Sequence, residues 1–130
     1  MVDVAINGIS VTLGELFAKE LKHFPKADRQ LINKFIVHIQ NFGFTNLEGR
    51  NKSSDNVHKD DPYFAQKVQY ARENHLWHYH IGILAFDLSK PFGDRTSEYV
   101  LHYQRFSDRI KIVDYSSHPP FNLPSASYLK

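Results

Sequence analysis

Cysteine is absent from the 130 residues. That excludes a disulfide framework and any thiolate-ligated zinc site, and fits a reducing compartment. No apolar run approaches the roughly 20 residues needed to cross a bilayer. Met1 to Asn7 has no basic segment leading into a long apolar one, so no leader is expected and a cytoplasmic location is. Gly-x-Gly and Walker patterns are missing, which removes a phosphate-cradling glycine loop, and there is no serine nucleophile elbow. Charge of neither sign dominates: the formal net charge is +2. Such mild basicity permits an anionic partner without demanding one. Internal repeats and low-complexity tracts are also absent.

What is present is a globular composition, with 42% hydrophobic and 14% aromatic residues. The length predicts one domain over residues 1–130. Asn7-Gly8 between short apolar stretches predicts a small N-terminal hairpin or single strand. Thr12-Leu13-Gly14-Glu15 fits a capping box, and Leu13, Leu16, Phe17 and Leu21 then recur at helical spacing. Pro25 ends that helix. A second helix is expected from Ala27 to Asn41, with Leu31, Ile32, Phe35, Ile36 and Ile39 as its apolar stripe and Gly43 at its exit. Residues 44–63 read as a long polar loop. Strands are expected over Phe64 to Tyr70, over residues 75–86, over Ser97 to Phe106 and over Ile110 to Tyr115, with an irregular segment from Ser116. Helices first and strands in a run predict an α+β fold: two N-terminal helices on one face of a twisted antiparallel sheet of about four strands.

The most informative stretch is His75-Leu76-Trp77-His78-Tyr79-His80. Side chains along a strand point alternately to opposite faces, so Trp77, Tyr79, Ile81 and Ile83 share one face, and His78 and His80 the other. The core face is expected to take Val68, Tyr70, Trp77, Tyr79, Ile81, Leu101, Tyr103 and Ile112. Lys67, Gln69, His78, His80, His102, Gln104 and Lys111 fall on the other face, which is expected to be open. That set contains no acid, unlike an ordinary solvated face. His23 and His38 lie on the helices and are assigned no role.

Two chemistries suit such a face. His78-x-His80 could offer two metal ligands, with His75, His102 or His118 as a third, but nothing in the sequence fixes that third ligand. The alternative is metal-free RNA cleavage. It needs a base for the 2′-OH, cations for the phosphate and an acid for the leaving 5′-oxygen. His, Lys and Arg supply all three roles, and the collection of these residues from several strands favours this second chemistry, with no metal and no cofactor.

The order of motifs resembles the RelE/ParE superfamily of toxins from bacterial toxin–antitoxin pairs, and within it the YafO-type ribosome-dependent mRNA interferases. The resemblance is carried by Gly49-Arg50-Asn51 before an acidic loop, by Lys67, by Trp77-His78-Tyr79-His80-Ile81, by Glu98-Tyr99-Val100-Leu101-His102-Tyr103, and by Ile110 through His118. It implies a two-helix layer on a sheet and metal-independent cleavage of mRNA on the ribosome. It also implies a cognate antitoxin as partner. His78 or His80 would serve as base and His118 as acid, with Lys67, Arg72 and Arg105 as phosphate clamps. Arg50, Lys52, His102, Gln104 and Lys111 would contact RNA. This chain carries more His and less Arg on its middle strands than the family. Two other activities share the expectation: poisoning of a protein target such as gyrase, and RNA binding without cleavage.

Overall fold

The computed structural model describes residues 8–130, so the turn expected at Asn7-Gly8 and the strand before it lie outside the described residues. In chain order the elements are β1 (Ser10–Leu13), α1 (Glu15–Leu21), α2 (Lys26–Phe42), β2 (Asn51–Ser53), α3 (Phe64–Glu73), β3 (Leu76–His80), β4 (Tyr99–Arg105) and β5 (Arg109–Ser117). A 3-10 turn follows at Ala126–Leu129. The fold is mixed α+β, and the strands form one five-stranded sheet in the order β1-β5-β4-β3-β2.

The sheet differs from the expectation in two ways. The polar loop contributes a strand, since Lys52 of β2 pairs with His78 of β3. At the other edge β1 lies parallel to β5, Val11 opposite Ile110, so the sheet is mixed rather than wholly antiparallel. A parallel neighbour requires a long crossover, and here nearly the whole chain intervenes. Neither feature leaves a local mark in the sequence.

Nor are the helices confined to the N-terminal part, because residues 64–73 are helical where a strand was expected. Val68 and Tyr70 alternate, but Phe64, Val68 and Ala71 also recur at helical spacing, and Ala71 is buried. Ala65, Gln66, Lys67, Gln69, Ala71 and Arg72 are all strong helix formers. Gln69 donates to Glu73 at 2.7 Å one turn on. Val68 and Tyr70 therefore belong to a helix and not to the core face of the sheet.

The helix-side core follows the predicted stripes. Phe17 of α1 and Ile32, Phe35 and Ile39 of α2 pack on Tyr79, Leu101, Tyr103, Ile110 and Ile112. Phe35 stacks on Tyr79 with ring centroids 4.7 Å apart, an arrangement worth about 0.5–1.5 kcal/mol beyond the area it buries. Gly43 takes φ 65° at the exit of α2, as its place after the helix requires. The capping box does not form: Gly14 is the cap of α1, with no side-chain bond. Thr12 instead sits in β1 and donates to the Ile110 carbonyl at 3.3 Å.

The opposite face is covered, not open. His78, His80, His102 and Gln104 keep 3%, 4%, 0% and 8% of their exposure. The segment after β5 crosses this face. Phe121 lies with its ring centroid 4.5 Å from that of His78 and 5.6 Å from that of His102. The Tyr70 hydroxyl of α3 donates to the Pro124 carbonyl at 2.7 Å, joining helix and tail above the sheet.

Candidate functional site

β3 builds the site by simple alternation. Leu76, His78 and His80 point away from the α1–α2 layer, while Trp77 and Tyr79 point into it. The strand stops at His80 because Gly82 turns the chain with φ +92°, where a Cβ would lie 2.7 Å from the Phe86 ring. Beside His80, Gly49 lets the chain pass close: a Cβ there would stand 1.9 Å from the His80 carbonyl. Arg50 follows, and its carbonyl accepts from the His80 N–H at 3.0 Å. β4 places His102 opposite His78. β5 ends at Ser117, and the N–H of His118 donates to the Glu98 carbonyl at 2.5 Å.

The result is a convergence of His78, His80 and His118, with one ring nitrogen from each lying within 4.8 Å of the other two. The ring centroids are 6.1 Å apart for His78 and His80, 5.9 Å for His78 and His118, and 5.4 Å for His80 and His118. Two of the rings are held from behind. Nδ1 of His78 bonds the buried Ser54 hydroxyl at 2.9 Å, and Nδ1 of His80 lies against the Ser97 peptide, 2.9 Å from its carbonyl oxygen and 3.0 Å from its nitrogen. Both rings therefore present Nε2 forward. Nδ1 of His118 is buried without a hydrogen-bond partner.

Burial controls the charge of these rings. Desolvation, followed by the neighbouring imidazoles and Arg50, drives His78 down to about 3. His80 is lowered by burial and partly restored by its bond to the Ser97 peptide. His118 is lowered by burial and by the Arg50 charge, and burial takes His102 down to about 4. All four are neutral at pH 7, with lone pairs available.

His118 borders two cavities. One, of about 350 Å³, is shared with His78, Lys67, Asp61 and Phe121. The other, of about 490 Å³, is shared with His80, Arg50, Asp87 and Glu98. Lys67 reaches the first from α3, where it pairs with Asp61 at 2.6 Å. Arg50 reaches the second while forked onto Asp94 at 2.7 and 3.2 Å. Lys52 is exposed on the same face of β2.

Other candidates fall elsewhere. Arg105 lies on the α2 side of the sheet, 4.0 Å from the Phe44 ring centroid and 4.5 Å from that of Trp77. Its position on β4 gives it the parity of Tyr103, opposite to His102, so it cannot clamp a phosphate at the histidines. Arg72 sits on the outer surface of α3, paired with Asp55 at 3.0 Å. His102 is fully buried, with Nε2 bonded to Ser116 Oγ at 2.7 Å, and Gln104 donates to the Asn74 carbonyl at 3.1 Å. Both side chains are buried, His102 beneath Phe121, so neither offers a surface to RNA. Lys111 is bound to the Leu129 carbonyl at 2.7 Å. His75 packs against Phe106 at the start of β3, outside the cluster.

Sequence reasoning missed Ser54, Ser97 and Phe121. The serines orient the rings, and Phe121 roofs them. The sequence hints at one of them alone: Phe121 follows Pro119-Pro120, whereas Ser54 lies inside a polar run and Ser97 beside a loop. No family model, curated protein or solved structure matches the chain.

Proposed function

We propose that the protein is a toxin of a toxin–antitoxin pair that cleaves mRNA on the ribosome. The observation that carries this reading is the meeting of three neutral imidazoles beside two cations, Lys67 and Arg50, at cavities open to solvent. The proposed site is thus narrower than the sequence set: Lys67 stays as a clamp, and Arg50 takes the place of Arg72 and Arg105.

His80 is the better base. His78, held near 3, is a weak proton acceptor at neutral pH, whereas catalysis favours a group whose pKa lies near the working pH. Nε2 of His80 takes the 2′-OH proton, and the 2′-oxygen attacks phosphorus. The bond from phosphorus to the 5′-oxygen breaks, and His118 gives that oxygen a proton. The products are a 2′,3′-cyclic phosphate and a 5′-OH. An approaching phosphate raises the pKa of the imidazole it meets, so substrate itself favours the protonated His118. Arg50 and Lys67 offset charge on the phosphoryl oxygens. The partners are mRNA, the ribosome and an antitoxin, all met in the cytoplasm.

Expression without an antitoxin, with mapping of RNA ends, tests this. Growth arrest accompanied by new 5′-OH ends, both lost in a His80→Ala, His118→Ala double variant, is the expected result. Arrest with intact mRNA and broken DNA would replace this reading by a protein-directed poison.

A further inference from the structure

We propose that His78, His80 and His118 form a binding site for a zinc-class divalent cation. The sequence offered His78-x-His80 with no definite third ligand; the fold supplies it by bringing His118 back across the sheet. Three imidazoles with an open fourth position match the donor number of a protein-bound zinc that keeps an exchangeable ligand.

The supporting geometry is of the kind metal-binding histidines use. A ligating imidazole is ordinarily fixed through its other nitrogen, by a carbonyl, carboxylate or water, which sets the tautomer and the ring plane. His80 has the Ser97 peptide, carbonyl oxygen at 2.9 Å and nitrogen at 3.0 Å, and His78 has the Ser54 hydroxyl at 2.9 Å, against that second nitrogen. The unpartnered Nδ1 of His118 is a buried polar atom lacking the bond such atoms nearly always make. Tetrahedral ligation at about 2.0–2.1 Å puts donor nitrogens about 3.4 Å apart. The three nitrogens lie within 4.8 Å, so closure requires ring rotations rather than a change of fold. His118 has the freedom for this, being only part-buried beyond the end of β5.

The surroundings do not repel the ion strongly. Arg50 and Lys67 are each paired with a carboxylate, Asp94 and Asp61, and Asp87 and Glu98 line the cavity onto which His80 and His118 open. The donor set also selects the ion. Imidazoles suit zinc, nickel, copper and iron, whereas magnesium and calcium prefer oxygen ligands. Resting on the function proposed above, one consequence follows. A bound ion occupies the lone pair that His80 needs as base, so loading silences metal-free cleavage.

Isothermal titration of the chelator-treated full chain with Zn²⁺ tests the site, with Mg²⁺ as the contrast. Binding of one Zn²⁺ per chain, and none of Mg²⁺, is expected. His118→Ala, which removes a part-buried ligand, should weaken binding at least tenfold. Ser54→Ala, which leaves all three ligands, should weaken it about 10–100-fold. A His102→Gln variant should bind as the parent does. Failure of the folded parent to bind, or equal binding by His118→Ala, overturns the site. RNA cleavage measured on the same samples separates the two proposals: tight Zn²⁺ binding in a protein that never cuts RNA supports the site and rejects the nuclease, while absent binding in an active nuclease does the reverse.

Discussion

The two faces of the sheet are built from the same strands and are equally buried, but differ in what they bury. On one, Tyr79, Leu101, Tyr103 and Ile112 close against α1 and α2 in a continuous apolar core. On the other, His78, His80 and His102 lie as deep, but under a tail and a short helix, and His102 Nδ1 and His118 Nδ1 lack hydrogen-bond partners. The first face secures the fold. The second holds neutral bases out of water, at a cost the first face has to offset. A buried imidazole costs more to desolvate than an aliphatic side chain of similar size.

The largest effect that can break this comparison is on the core side. Phe17→Ala should lose about 3–5 kcal/mol of stability by denaturant titration. A loss under about 1 kcal/mol would show that α1 is not part of the load. Next is His118→Ala, which on the proposed nuclease function should lower RNA cleavage about 10²–10⁴-fold while its denaturation midpoint stays near that of the parent. A matching collapse of stability would make His118 a structural residue.

Acid sharpens the contrast further. His102 is held at about 4 when folded and returns to about 6.5 when unfolded. The folded state therefore binds fewer protons. Stability is full above about pH 6.5 and falls as pH drops toward 4, by up to about 1.4 kcal/mol per pH unit for this one group. Melting curves across that range should be flatter in His102→Gln than in the parent. The smallest effect belongs to Arg72→Ala, on the outer surface of α3. Loss of its exposed pair with Asp55 should change stability by less than about 1 kcal/mol and leave cleavage unchanged.

Which face each residue takes was legible in the middle strands. Alternation from Trp77 to His80 and from Tyr99 to Gln104 assigned both sides correctly, and the stripe from Leu31 to Ile39 located α2, observed as Lys26–Phe42. Whether the polar side met water was not legible. That depends on Phe121 and Pro124 folding back over β3 and β4, and no periodicity records such a return. α3 was misread because Val68 and Tyr70 satisfy a strand period while the flanking helix formers decide otherwise. The clamp role that the resemblance implies for Arg105 conflicts with its parity: it shares the side of Tyr103, opposite His102. Ser54 and Ser97 became visible only once β2 and the segment before β4 stood beside β3.

The tail that roofs the histidines also fastens the molecule's perimeter. Tyr70 holds Pro124, Tyr128 donates to Glu20 of α1 at 2.8 Å, and Lys111 holds Leu129. Val11 likewise waits for Ile110. The three-histidine cluster therefore depends on the segment after β5: a chain cut before His118 keeps two of its imidazoles but neither the third nor the ring that roofs them.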